Sequence, residues 1–298
     1  MDASVHTRQD VQCIVFNHNP YNGVVFAGGG SRCFWQAGFW QAAAPALGLT
    51  PLAVAAVSAG ASTACHVFSG QIEAAMEYYQ AAHARRAKHD PPGRNPFWPD
   101  PTGLAVYRGA LESVLEGESF GRLKQGPDLR IFMTRPPDWA KSGLGVCLGY
   151  LSYGLEKGMG DPVHYRYARR LGFQPVVGRA SQCATVKDLV DLVVASSCLP
   201  PMVPWCRWDG GRVVDGGILD NAPLDLLGPG EQPVLVLLTR RYPAQALRGR
   251  PGVTYAQPSR PLAISKWEKA NPGLVRQSYE QGLRDGELFA RRGPEALY

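Results

Sequence analysis

The chain has 298 residues, 45% of them apolar, with 34 glycines and a formal charge of +6 at a pI near 9.0. Length and apolar share support a substantial buried core of α/β type and exclude a disordered or fibrous chain. The basic balance suits an acidic partner such as anionic lipid or nucleic acid, with a solvated basic surface as the other reading. The basic residues are scattered over Arg85-Arg86 with Lys88, Arg169-Arg170 and Arg240-Arg241 rather than gathered into an arm, so no nucleic-acid partner is expected.

Seven cysteines, Cys13, Cys33, Cys65, Cys147, Cys183, Cys198 and Cys206, form no Cys-x-x-Cys pair and no ligand cluster with histidine. That fits reduced thiols in a cytoplasmic protein, with no metal and no cofactor expected. Asp2, His6, Arg8, Asp10 and His18 interrupt the apolar core that a signal peptide needs. No run of about 18 apolar residues exists to span a membrane, so any contact with an anionic membrane is expected to be peripheral. No internal repeat or linker divides the chain, and one domain over residues 1–298 is expected.

Taken in order, Tyr21 to Phe26 predicts a first buried strand that runs into Ala27-Gly28-Gly29-Gly30-Ser31-Arg32. Three glycines let backbone N–H groups approach a ligand and form an anion-binding concavity. Arg32 is the only formal charge between Asp10 and Glu73, placed either to brace this loop or to meet an anionic substrate group. A dinucleotide loop is excluded, because Cys33 stands where the last glycine belongs and no acid follows at about 20 residues. An oxyanion hole at Gly28, Gly29 and Gly30 fits better, with a plain structural turn as the other reading. Phe34 to Ala44 continues as an apolar helix with Gly38 at a close-packing point.

Leu52 to Val57 predicts a second buried strand, and Ser58 follows it at once within Val54 to Thr63. Strand, sharp turn and helix with a serine at the apex require small neighbours, and here these are Ala56 and Gly60. Such a turn lifts the hydroxyl clear of the sheet and aims a helix N-terminus at it. An ordinary strand-to-helix turn with a serine N-cap reads the same residues.

Ala61 to Arg86 predicts the helix behind that turn, and the proline-rich residues 90–101 a loop with exposed Phe97 and Trp98. Ala105 to Leu115 reads as a helix and Leu129 to Thr134 as a buried strand. Residues 136–182 are weakly patterned and rich in glycine and tyrosine (Tyr150, Tyr153, Tyr165, Tyr167); a variable insertion or lid, a partner surface and a loop-rich stretch remain open. Thr185 to Ser196 has helical spacing. A hairpin over Trp205–Trp208 and Arg212–Val214 follows, then Asp215-Gly216-Gly217, a strand at Val234 to Thr239 and a closing helix at Leu274 to Phe289.

A serine nucleophile needs a neighbour to take its proton. A Ser-Asp-His order would place histidine late, yet none follows His164, and His6, His18, His66, His83 and His89 read as surface or helix residues. His66, the nearest rival, is expected to point away from Ser58. Asp215 is the best partner, since an apolar strand ends there and two glycines leave room around its carboxylate. Asp209-Gly210-Gly211 repeats the tripeptide but reads as the hairpin turn.

Gly28-Gly29-Gly30-Ser31-Arg32, the Ser58 turn, Ala195-Ser196-Ser197-Cys198-Leu199-Pro200, and Asp215-Gly216-Gly217 with Asn221-Ala222-Pro223 resemble, in that order, the patatin-like phospholipases over about residues 21–240. The resemblance implies a three-layer α/β/α fold with a central, mostly parallel sheet. It also implies a Ser58–Asp215 dyad that hydrolyses lipid acyl esters, an oxyanion hole at Gly28 to Gly30, and supporting roles for Gly60, Gly216 and Gly217. Two positions depart from the family pattern: Ala56 replaces the first glycine of the serine turn, and Cys33 replaces the glycine after the basic residue. The leading expectation is a serine acyl hydrolase acting on phospholipid, lysophospholipid or a related ester. The alternatives are an acyltransferase or thioesterase working through the same acyl-serine, and a non-catalytic lipid-binding protein.

Overall fold

A computed structural model describes residues 19–89, 100–140, 163–164, 167–200 and 203–298. The polar leader, Phe97 and Trp98, Tyr150, Tyr153 and Tyr165, and most of the expected insertion lie outside these residues.

Two four- and five-residue runs of small and β-branched side chains make the centre of the sheet. They are β1, Gly23–Phe26, and β2, Ala53–Val57, and every one of their residues is buried. Strands apolar on both faces are the mark of a parallel sheet covered on both sides. Phe26 is paired with Ala56, and β3, Asp128–Arg135, lies parallel to β2 on the far side. The remaining strands are β4 (Gln174–Arg179), β5 (Cys206–Trp208), β6 (Gly211–Asp215), β7 (Val234–Leu237) and β8 (Val253–Ala256). The sheet order is β5-β6-β3-β2-β1-β7-β8, with β4 also paired to β3. Five neighbouring strands from β3 to β8 are parallel, whereas β4, β5 and β6 join antiparallel.

From β1 the chain winds toward β2 and β3 on one side and toward β7 and β8 on the other. This reversal opens a crevice beyond the carboxyl ends of the central strands, the usual place for a ligand in such sheets.

Val24, Phe26, Val54 and Ala56 face one layer, formed by α1 (Phe34–Leu47), α2 (Ala59–Phe68), α3 (Ile72–His89), α4 (Pro101–Glu112), α5 (Glu118–Gln125), α6 (Val186–Ser196) and α7 (Pro272–Arg292). Val25, Ala27 and Ala55 face the other layer, built from short turns around Leu224 and Leu247. The expected close-packing point at Gly38 is real. A Cβ there would stand 2.0 Å from the Tyr279 carbonyl, and α7 answers with Gly282 and Gly286 against α1.

Three expectations change. The single helix predicted over Ala61 to Arg86 is α2 and α3, separated at Gly70, whose φ is +73. The short amphipathic α5 went unpredicted. Residues 174–179 of the weakly patterned stretch are a sheet strand, β4; most of their side chains are exposed or half-buried, which erased the alternation.

Candidate active site

Ser58 joins β2 to α2 with φ 55 and ψ −134, a conformation uncommon for a residue carrying a Cβ. Its neighbours make the turn possible. A Cβ at Gly60 would meet the Phe26 and Ala27 carbonyls at 2.5 Å, so only glycine lets α2 start this close to β1. The Ser58 N–H donates to the Ser196 hydroxyl at 2.8 Å, and that hydroxyl donates to the Phe132 carbonyl at 2.6 Å. The Tyr107 hydroxyl lies 3.4 Å from the Ser58 carbonyl and 3.0 Å from the Ser197 hydroxyl.

Asp215 ends β6 opposite Met133 of β3 and is 3% exposed. Its Oδ2 accepts the Ser58 hydroxyl at 2.8 Å, and its Oδ1 accepts the Gly217 N–H at 2.7 Å. Burial pushes the Asp215 carboxyl above the usual aspartate range. The Lys266 charge, the Gly217 N–H and the Ser58 hydroxyl oppose that push by favouring the carboxylate. Gly216 packs so tightly on β3 that a Cβ would stand 2.5 Å from the Phe132 carbonyl. Asp209, with φ 47, occupies the hairpin turn between β5 and β6 as expected.

Among the described residues no histidine hydrogen-bonds to the Ser58 hydroxyl or the Asp215 carboxylate. His66, expected to point away, instead lines the same cavity as Ser58. Its Nε2 lies 3.2 Å from the Ser62 hydroxyl, and burial lowers its pKa to about 4, which leaves the ring neutral at pH 7. His164 pairs with Asp220 and Tyr255.

The glycine loop departs from the expectation in one respect. The Gly28 N–H donates to the Asn221 carbonyl at 3.0 Å and is therefore spent on structure. The Gly28 carbonyl is fixed in turn by the Asn221 amide and the Thr239 hydroxyl, each at 2.8 Å. Among the described residues no hydrogen bond engages the Gly29 or Gly30 N–H. Gly30 lines the cavity with φ +57, and a Cβ on it would stand 2.1 Å from the Lys266 carbonyl. Arg32 does not line the cavity; its Nε sits 3.5 Å from the Gly29 carbonyl, on the bracing side of the loop. Cys33 does line it, and burial pushes its thiol up to about 12, far from thiolate chemistry.

The cavity measures about 200 Å³. Phe34, Ala37, Ile72, Met76, Leu104 and Leu199 give it an apolar wall beside Ser58, while His83, Arg86, Asp100 and Lys269 form a polar flank. Asp100 caps α4 through the Gly103 N–H, and binds Arg86 at 3.2 Å and Lys269 at 2.7 Å. Burial alone would raise the Asp100 carboxyl, but these partners outweigh it and hold the pKa at about 2. Among the described residues no group of three or more His, Cys, Asp or Glu side chains is arranged to hold a metal ion. Sequence reasoning missed Tyr107, Thr239 and Lys266: each acts across a distant element and carries no local motif. Ser196 was visible only as part of a motif, without its role.

The family model described as "Patatin-like phospholipase" matches residues 24–227. Among solved structures, the crystal structure of VipD from Legionella pneumophila is similar at 14% identity with a TM-score of 0.43, covering 91% of this chain and 67% of that one. No curated protein matches the chain.

Proposed function

Because the chain belongs to the patatin-like phospholipase family, we propose that it is a serine acyl hydrolase that cleaves acyl esters of lipids with a Ser58–Asp215 dyad. The observation that carries this reading is the 2.8 Å hydrogen bond from the Ser58 hydroxyl to the buried Asp215 carboxylate. It lies at a left-handed strand-to-helix turn on the edge of an apolar cavity.

In this mechanism the acyl chain lies against the apolar wall and brings its ester carbonyl to Ser58. Asp215 takes the hydroxyl proton as Ser58 Oγ bonds to the carbonyl carbon. The resulting oxyanion is met by the Gly29 and Gly30 N–H groups and the positive end of α2. Collapse of the tetrahedral intermediate expels the alcohol, which takes up the proton from Asp215. Water then enters and gives a proton to Asp215 as its oxygen bonds to the acyl carbon; the second tetrahedral intermediate collapses, Asp215 returns the proton to the departing Ser58 Oγ, and the free acid leaves. The neutral His66 and the protonated Cys33 stay outside the proton transfers.

Peripheral contact with an anionic membrane extends this reading. Among the described residues no helix is long and apolar enough to cross a membrane. Trp139 is 52% exposed and Leu171 39% exposed, and the chain between β3 and β4 carries both beyond the carboxyl end of β3, the edge on which Ser58 lies. Arg135, Arg169 and Arg170 flank them in sequence.

Turnover of a p-nitrophenyl acyl ester tests the chemistry. Ser58→Ala and Asp215→Asn should each lose most of kcat, and the double variant should be little worse than either, because the pair acts as a unit. A fluorophosphonate should label the wild type at Ser58. Near-normal kcat in Asp215→Asn would overturn the dyad.

A further inference from the structure

Cys198 and Cys206 flank the strand that ends at Asp215. The Cys198 carbonyl accepts the Asp215 N–H at 2.7 Å, and Cys206 is paired with Val213 across the β5–β6 hairpin. Their side chains meet. The Cys206 N–H donates to the Cys198 Sγ at 3.3 Å, and the Cys198 and Cys206 sulfurs lie 3.2 and 3.6 Å from one oxygen, the Pro204 carbonyl. A sulfur seated on its partner's backbone N–H is within reach of that partner's own sulfur by side-chain rotation, the condition that a disulfide sets. Both thiols are free, with Cys198 buried and Cys206 half-buried. Leu199 and Val203, which stand between them in sequence, line the cavity that holds Ser58.

We propose that Cys198 and Cys206 form a redox modification site, a thiol pair that hydrogen peroxide converts to a disulfide bearing on Asp215. Cys206, the more exposed of the two, reacts first. The hydrogen bond between the thiols lowers the Cys206 pKa and, together with burial, raises that of Cys198, so the thiolate forms on Cys206. Its sulfur attacks the peroxide: an S–O bond forms as the O–O bond breaks, and the departing hydroxide takes the thiol proton to leave as water. The Cys198 sulfur then bonds to the Cys206 sulfenic sulfur, the S–O bond breaks, and hydroxide leaves with the Cys198 proton as a second water. Two thiols are oxidised and one peroxide is reduced. The disulfide turns the Cys198 Sγ away from the Cys206 N–H and draws on the main chain whose carbonyl holds Asp215.

Mass spectrometry of the full chain tests the site without any need for turnover. No Lys or Arg lies between Asp188 and Arg207, so trypsin releases both cysteines on one peptide, apart from the rest. After hydrogen peroxide and then iodoacetamide, this peptide should be two hydrogens lighter than the dithiol and carry no alkyl group. Dithiothreitol before alkylation should bring back alkylation at both cysteines. In Cys198→Ser the Cys206 sulfenic acid has no thiol to meet, and dimedone should trap it. A wild-type peptide still alkylated at both cysteines after peroxide, or Cys206 linked to a different cysteine, overturns the proposal. The effect on Asp215 is read in p-nitrophenyl ester turnover: oxidation should lower the wild-type kcat, dithiothreitol should restore it, and Cys206→Ser should be indifferent to peroxide. An unaltered kcat in fully disulfide-bonded wild type overturns the link to Asp215. This arm rests on the acyl hydrolase reading. A mapped disulfide in a wild type with no ester turnover sinks that reading and leaves the thiol site standing.

Discussion

The Ser196 hydroxyl accepts the Ser58 N–H at 2.8 Å and donates to the Phe132 carbonyl at 2.6 Å, linking α6, the serine turn and β3 through one buried oxygen. Ser58 holds a backbone conformation that its own preferences resist, and such strain persists only where surrounding contacts impose it. Ser196→Ala removes the acceptor and leaves a buried N–H without a partner, which costs about 1–3 kcal/mol. We predict a loss of stability of that size in urea unfolding. The kcat on a p-nitrophenyl ester should fall more than KM changes, because the Ser58 oxygen is no longer held at Asp215. A Ser196→Ala protein with wild-type stability and kcat would show that the turn is fixed by other contacts.

Asp215 places chemistry and stability in opposition. Burial raises its folded-state pKa, so ionising it on folding is unfavourable; its stability contribution is complete below the unfolded aspartate pKa of about 4 and is lost as pH rises through the folded value. Asp215→Asn should therefore raise the Tm at pH 7, and the gain should disappear as pH falls to about 4. With Asp215 as the base of the proposed dyad, the wild-type kcat/KM should rise with pH along an acid limb above the ordinary aspartate range, since that base must be ionised. Thermal melts across pH and a pH–rate profile check both statements.

Asp100 behaves in the opposite sense. Its partners Arg86 and Lys269 hold its pKa at about 2, so its stabilising effect is present above about pH 4 and is lost as pH falls toward 2. Asp100→Asn removes a carboxylate from the buried Arg86 and should cost about 1–3 kcal/mol at pH 7. The gap between variant and wild type should close toward pH 2. A constant gap from pH 7 to pH 3 would mean that packing, rather than charge, accounts for the loss.

Vesicle sedimentation addresses the membrane contact. Binding to anionic vesicles should exceed binding to neutral ones and should fall with added salt, since the Debye length is about 8 Å at physiological ionic strength. Trp139→Ala should weaken it further, because an interfacial tryptophan anchors at headgroup level. Equal binding to both vesicle types, or no effect of Trp139→Ala, would remove this face from the reading.

Much of the site's first layer was legible because it is local. The Ser58 turn, the three glycines and the strand ending at Asp215 are each written within about ten consecutive residues, and small residues at fixed offsets are what the backbone geometry demands. The central strands were legible for the same reason: strands buried on both faces read as unbroken apolar runs. What failed was non-local. Nothing near Gly28 says that its N–H is claimed by Asn221, and nothing near Lys266 says that its carbonyl closes on Ser31. The division of α2 from α3 turned on one glycine within an otherwise continuous helical pattern. Strand β4 was hidden because its pairing with β3, rather than burial, defines it.

The fastening of the glycine loop bears on when the Ser58 site gains its geometry during synthesis. Thr239 holds the Gly28 carbonyl from 211 residues away in sequence, and the Glu268 carbonyl holds Ser31 from 237 residues away. The loop and Ser58 therefore leave the ribosome long before the groups that set their geometry. Contacts this distant in sequence close late, after the entropy of joining a long loop has been met. On the proposed mechanism, a nascent chain bearing Ser58 should therefore lack the loop geometry for turnover until the chain through Glu268 has been made.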